Sequence, residues 1–270
     1  MKTIALALGG GGARGLAHIA VLETLDEMGI RPVAIAGTSI GALIGAPYAA
    51  GMSGKEIRTH VTALARDRSG LFGKLIAARA GGSIASGLRS ASLIDAEKFC
   101  AQFLPDRVPD DFGALQIPLT VIASDLYSRR EAAISSGALR TAVAASMAIP
   151  AVSRPVRVEG RVMVDGGATN PLPFDRVRAL ADIVIAVDVA GPPADDCTAM
   201  PDSFECYLAT VLVMAQTIID EKIKHGAPDI VLRPNVGIFR ALDFLRASAI
   251  LRAAEPVKAE LREKLGKLLA

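Results

Sequence analysis

Two glycine-flanked segments carry the residue types that acyl transfer or anion binding needs. Gly37-Thr38-Ser39-Ile40-Gly41 sets one hydroxyl between glycines in the pattern G-x-S-x-G, directly after the apolar run 33–36. A strand-to-helix turn of this kind exposes the Ser hydroxyl, and the helix dipole that follows favours developing negative charge. Ser39 is therefore the candidate nucleophile. In a chain with 25 Gly the pentapeptide also arises by chance, so its position after a strand is what gives it weight.

Upstream, Gly9-Gly10-Gly11-Gly12-Ala13-Arg14-Gly15 lies between an apolar run, residues 4–8, and a helical pattern. Backbone N–H groups at such a junction suit an anion. One reading is a dinucleotide pyrophosphate site, since Gly10, Gly12 and Gly15 match G-x-G-x-x-G. That site also needs an acid at the end of the second strand, where this chain has Gly37-Thr38-Ser39, and no P-loop lysine is present. The other reading is a set of preorganised donors for a transient oxyanion, assigned by position to Gly11 and Gly12. A plain tight turn needs fewer than four consecutive glycines.

A serine nucleophile requires a base. His18 follows the glycine loop by one helical turn and reads as a packed or hydrogen-bonded structural residue. His60, in a polar helical stretch, reads as solvated. His225 precedes Gly226 at a helix end, where a cation suits the dipole. The order Ser39, an acid, then His225 keeps an ordinary hydrolase triad open. Asp165 follows an extended segment and precedes Gly166 and Gly167, which leave room around its carboxylate; Asp125 and Asp188 also end apolar runs and stay open as bases.

The elements that must position these groups alternate. Residues 4–8 predict a strand, residues 14–28 a helix with Leu16, Ile19, Leu22 and Leu25 at helical spacing, and residues 33–36 a second strand. Continuous apolar runs at 119–123 and 183–189 predict strands buried on both faces, as in a parallel sheet covered by helices. Residues 156–164 alternate around a Glu-Gly turn and predict a hairpin that delivers Asp165 to its end. Late helices are expected over 204–224 and 244–269. The expected architecture is a three-layer α/β/α sandwich with a mostly parallel central sheet, in a single domain over 1–270.

Composition removes several function classes. With 270 residues, 51% of them hydrophobic and 21% charged, the chain has material for one large core. Thirty basic against 28 acidic residues, without runs of either sign, give no footprint for nucleic acid. Cys100, Cys197 and Cys206 lack C-x-x-C spacing, so neither a disulfide framework nor a zinc site is indicated, and a reducing, cytoplasmic setting is the default. No signal peptide is expected from the short apolar run 4–8. Residues 32–54 carry no charge and resemble a membrane span in hydropathy, but their glycines and Pro47 argue for a buried strand, turn and helix.

Taken together, the segments resemble the patatin-like phospholipase family, in particular its small bacterial-type members related to the catalytic domain of neuropathy target esterase. The resemblance spans nearly the whole chain. It rests on the glycine block 9–15, the Ser39 block, Asp165-Gly166-Gly167, and Ala145-Ser146-Met147-Ala148-Ile149-Pro150, which matches an A-S-x-x-x-P signature. It implies a Ser39–Asp165 dyad without a catalytic His, a Gly11/Gly12 oxyanion hole, and hydrolysis of fatty-acyl esters in phospholipids or other lipids with no metal or cofactor. Gly10, Arg14, Gly15, Gly37, Gly41, Gly166 and Gly167 would support these groups. An ordinary Asp, with a pKa of about 3.9, needs a partly dry site to serve as base for a Ser.

Arg14 reads first as a structural contact at the helix start and second as a positive group for lipid phosphate. Ser146 and Pro150 are expected to shape the site wall. Residues 71–93, apolar with several glycines, read equally as a lid or lipid-contact segment and as an ordinary loop. A lipid substrate would bring transient contact with a membrane surface, and the oligomeric state is not indicated.

Overall fold

The computed structural model describes residues 2–66, 95–191 and 200–270. The lid reading of residues 71–93 and Cys197 lie outside them. Eight strands form one sheet: β1 (Ile4–Leu8), β2 (Ala34–Thr38), β3 (Leu119–Asp125), β4 (Arg130–Ile134), β5 (Val156–Val158), β6 (Arg161–Asp165), β7 (Ile183–Val187) and β8 (Ile230–Leu232). Their order is β5-β6-β3-β2-β1-β7-β8, with β4 also on β3. The run β3-β2-β1-β7-β8 is parallel, and β4, β5 and β6 add antiparallel pairs.

Strand alternation divides the core into two layers. On β1, Leu6 and Leu8 point into the larger cluster with Leu22, Ile35 and Ile44, whereas Ala5 and Ala7 meet Leu172, Phe174 and Ile219 on the opposite face. The larger layer is covered by α1 (His18–Glu27), α2 (Ile40–Ala49), α3 (Gly54–Arg66), α4 (Ala96–Phe103) and α5 (Leu139–Ser146), and by two C-terminal helices, Ala247–Ala254 and Pro256–Leu269. The other is covered by α6 (Ser203–His225), whose Ile219 packs with Leu212 and Ile223 against the small residues of β1, β2 and β7. Helices on both faces make the expected three-layer sandwich. Ile19, Leu22 and Leu25 of α1 are fully buried, and each such side chain contributes about 2 kcal/mol.

Several expected boundaries move. The first turn after the glycine loop, Gly12–Ala17, is a 3-10 helix, and α1 begins only at His18. The long final helix is divided: α7 (Ala247–Ala254) ends before Pro256, which opens α8 (Pro256–Leu269) at a position where its missing N–H costs nothing. The uncharged stretch 32–54 is β2 and the short helix α2, not a span. Among the described residues one helix, α6, is long and apolar enough by length and composition to cross a membrane. Its Lys222 nevertheless donates to Asn170 Oδ1 at 2.5 Å and to the Leu172 carbonyl at 3.1 Å, on the sheet side.

Candidate active site

The site forms where one edge of β3 changes partner. Val121 and Ile122 pair with Gly37 and Thr38 of β2 on one side and with β4 on the other; from Ala123 to Asp125 β4 continues, while β6 replaces β2. β2 and β6 therefore occupy the same edge and meet end to end. The residue after Thr38 is Ser39, and the β6 residue opposite Ala123 is Asp165. Ser39 Oγ donates to Asp165 Oδ2 at 2.6 Å across 126 positions of sequence.

Ser39 sits on a strained turn with φ 54° and ψ −123°, a region that L-residues enter only when their surroundings hold them there. The holding contacts are explicit. Its carbonyl accepts from the N–H groups of Ala42 (2.9 Å) and Leu43 (3.1 Å). Its own N–H donates to Ser146 Oγ at 2.7 Å, and that hydroxyl donates in turn to the Ile122 carbonyl at 2.5 Å. Ser146, fully buried at the C-terminal end of α5, thus pins the turn to the junction in β3. The expectation of a wall residue understated it: the sequence marks its block but not its partner.

Glycines make the turn sterically feasible. A Cβ on Gly41 would stand 2.0 Å from the Leu8 carbonyl oxygen, so only glycine lets α2 start this close to β1. Gly37 lies in β2, Gly15 packs against Ile40, and Gly166 against the Ile122 carbonyl.

In the glycine loop, Gly9 N–H donates to Val187 (3.0 Å), Gly10 N–H to Pro171 (2.9 Å) and Ala13 N–H to Ala241 (2.7 Å). The N–H groups of Gly11 and Gly12 have no acceptor among the described residues. Gly10 borders the nucleophile, its Cβ position being 3.4 Å from Ser39 Cβ. Gly12 has φ 63° and passes so near the Ala241 carbonyl that a Cβ would fall 2.2 Å from its oxygen.

Among the described residues Asp165 has no positive partner. Its Oδ1 accepts from the Gly167 N–H at 2.7 Å, its Oδ2 from Ser39, and its main chain is fixed by Ala148 and by the Ser124 hydroxyl. Burial penalises the ionised form more than these two hydrogen bonds favour it, and the pKa rises to about 6. Such a carboxylate is a far better base than one in water. The other acids are occupied elsewhere: Asp125 accepts from the N–H groups of Tyr127 and Ser128, and Asp188 binds Arg233 at 3.1 Å.

None of the three histidines reaches the pair through a hydrogen bond. His18 is fully buried with Nε2 2.8 Å from the Gly9 carbonyl, and burial lowers its pKa to about 4, so it is a neutral brace for the loop. His60 departs from the solvated expectation: it is half-buried, 2.7 Å from the Phe103 carbonyl and edge-on to the Phe103 ring. His225 is exposed at the end of α6 and contacts Glu221 at 3.1 Å. Arg14 is buried and directs its guanidinium to the carbonyls of Phe239, Gly191 and Gly237. These contacts tie the helix start to carbonyls that the sequence does not single out.

With this geometry in view, the profile of the patatin-like phospholipases matches residues 6–178, which include the glycine loop, Ser39, Ser146 and Asp165. The chain belongs to the patatin-like phospholipase family. An uncharacterized NTE family protein of Mycobacterium bovis is 37% identical over 192 residues, covering 71% of this chain and 50% of that protein. Patatin-like phospholipase domain-containing protein 7 of Rattus norvegicus is 33% identical over 269 residues, covering 90% of this chain and 19% of that protein. The chain thus spans half the length of the mycobacterial patatin-like relative and a smaller part of the mammalian one. Among solved structures, VipD from Legionella pneumophila aligns over 97% of this chain and 66% of its own, with a TM-score of 0.48 and 14% identity.

Proposed function

We propose that this patatin-like phospholipase is a serine-dependent lipid acyl hydrolase that cleaves fatty-acyl esters through an acyl-serine intermediate, with Ser39 as nucleophile and Asp165 as base. The observation that carries the reading is the 2.6 Å hydrogen bond from a strained, clamped Ser39 to a carboxylate that has no cation beside it among the described residues. Family membership supports a lipid ester as substrate.

Ser39 Oγ attacks the ester carbonyl while its proton passes to Asp165 Oδ2. Negative charge moves to the carbonyl oxygen, where the N–H groups of Gly11 and Gly12, without an acceptor among the described residues, serve as donors. Gly10 and Ala13 are unsuited because their N–H groups are already bonded, and Ser39's own N–H is held by Ser146. Collapse of the intermediate breaks the bond to the alcohol, which leaves with the proton from Asp165. The regenerated carboxylate then takes a proton from water as it attacks the acyl-serine; when the second intermediate collapses, the bond to Ser39 Oγ breaks, Asp165 returns the proton to that oxygen, and the fatty acid departs.

The test is fluorophosphonate labelling together with fatty-acid release from nitrophenyl esters and a phospholipid panel. The expected result is labelling of wild type that Ser39→Ala abolishes, and loss of at least about 1,000-fold in turnover in both Ser39→Ala and Asp165→Asn. Labelling that survives in Ser39→Ala refutes the nucleophile. A wild type inert on every ester, yet binding NAD or ATP through the loop 10–15, would establish a binding module instead.

A further inference from the structure

We infer that Asn170, locked in place by Lys222 of α6, is a positioning residue that keeps the nucleophile, the base and the glycine loop in mutual register; this deepens the hydrolase reading and rests on it. Each of the three segments that carry the reacting groups bonds to Asn170 or to its neighbour Pro171. Thr38, the residue before Ser39, donates its hydroxyl hydrogen to the Asn170 carbonyl at 2.7 Å. Gly10, the residue before Gly11 and Gly12, donates its N–H to the Pro171 carbonyl at 2.9 Å. The Asn170 N–H donates in turn to the carbonyl of Gly166, the residue after Asp165, at 2.9 Å. A shift of the backbone at 170–171 therefore moves Ser39, Asp165 and the two glycine N–H groups relative to one another.

Such a junction serves as a fixed reference only if it is itself fixed, and the Asn170 side chain does this. It is 1% exposed, and each of its polar atoms has a partner. Oδ1 accepts from Lys222 Nζ at 2.5 Å, while Nδ2 donates to Asp175 Oδ1 at 3.0 Å and to Glu131 Oε2 at 3.2 Å. An ammonium on one side and two carboxylates on the other admit one orientation of the amide. Lys222 also donates to the Leu172 carbonyl at 3.1 Å and to Asp175 Oδ1, so its three hydrogens go to the segment 170–172 and its brace. Arg176 holds Glu131 in place with two bonds, at 2.7 and 2.8 Å. Among the described residues none of these side chains bonds to the Ser39 hydroxyl or the Asp165 carboxylate, so the cluster acts through the position of the backbone.

The experiment measures kcat and KM on nitrophenyl butyrate for wild type, Asn170→Ala, Lys222→Met and the double variant, with the folded fraction of each taken from its urea transition. Misplacing reacting groups by about 1 Å costs on the order of 100-fold in rate. Each single variant is expected to lose at least about tenfold in kcat with KM within about threefold of wild type, a split that a loss of stability alone would not produce in folded protein. Because Lys222 acts through Asn170, the double variant is expected within about threefold of Asn170→Ala. Smaller losses in kcat, a loss carried by KM, or a double variant near the product of the two single losses overturns the inference and leaves the dyad reading intact. If Asn170→Ala does not fold, Lys222→Met, whose side chain is 22% exposed, decides by the same thresholds. If wild type cleaves no ester, the hydrolase reading has failed, and the positioning role is judged by amide hydrogen exchange. Exchange at Gly10 at least about tenfold faster in Lys222→Met, with Ile185 of β7 unchanged, supports it; an unchanged rate at Gly10, or a rise shared by Ile185, overturns it.

Discussion

Replacing Asp165 by Asn should abolish turnover and stabilise the fold, and the second effect can be worked from the site. The side chain accepts from Gly167 N–H and Ser39 Oγ–H, has no cation beside it among the described residues, and burial lifts its pKa from the usual 3.8 to about 6. The difference spans about two decades of proton affinity, worth about 3 kcal/mol at 1.36 kcal/mol per decade. Because the folded-state pKa is the higher one, the folded protein holds the proton more tightly than the unfolded chain does. The stabilising contribution is fully present below 3.8 and is lost as pH rises through about 6, so at neutral pH the ionised Asp165 is a standing cost. Asn can keep the Gly167 bond with its oxygen and donate to Ser39 Oγ with its amide, at no charge. Urea unfolding should therefore show the variant about 2 to 3 kcal/mol more stable than wild type at about pH 8, with the gap closing toward about pH 4. Other carboxylates titrate alike in both proteins and cancel in the difference. A variant less stable than wild type at the higher pH, or a gap unchanged on acidification, would refute burial as the source of the basicity of Asp165.

The same pKa governs rate: kcat/KM should rise with pH through a single ionisation near 6 and then stay level, since only the carboxylate form can take the Ser39 proton; a stopped pH profile on a nitrophenyl ester checks this. His225→Ala should leave kcat/KM within about twofold of wild type, because the ring is exposed and contacts Glu221, and a large loss would restore the triad reading. Ser146→Ala strips the acceptor from Ser39 N–H and the donor from the Ile122 carbonyl, so kcat should fall by about 10- to 100-fold with KM little changed, alongside about 1 to 3 kcal/mol of stability. Gly41→Ala places a methyl on the Leu8 carbonyl and should cost about 3 kcal/mol or more, measured as a lowered urea midpoint or loss of folded protein.

What the chain alone determined is local. Strand β1, the helix after it, the strand leading into Ser39 and the hairpin leading into Asp165 are legible because each has its own hydrophobic period and turn residues within a few positions. The glycine, serine and aspartate blocks are legible for the same reason, as runs of neighbouring residue types whose chemistry depends on the backbone between them. Boundaries slipped where the deciding force was not periodic: Pro256 divides the final helix, and the 3-10 turn before His18 follows from how tightly the glycine loop lies on Val187, Pro171 and Ala241. His60 looked solvated because its helix neighbours are polar, while its actual partner, the Phe103 carbonyl, lies 43 positions away.

Only the tertiary structure decided which acid accepts the Ser39 hydrogen bond, which N–H groups of the glycine loop lack an acceptor among the described residues, and what holds the strained turn. Asp125, Asp165 and Asp188 are equivalent in sequence, each ending an extended run. They differ because β6 joins the edge of β3 where β2 leaves it, which brings Asp165 alone onto Ser39 and leaves the others to Tyr127, Ser128 and Arg233. The role of Ser146 is set in the same way, by a contact across 107 positions. Hydrogen bonds reach about 3 Å and are directional, so partners this far apart in the chain are chosen by strand register and by the packing of α5 on the sheet, which no local pattern of residue types encodes.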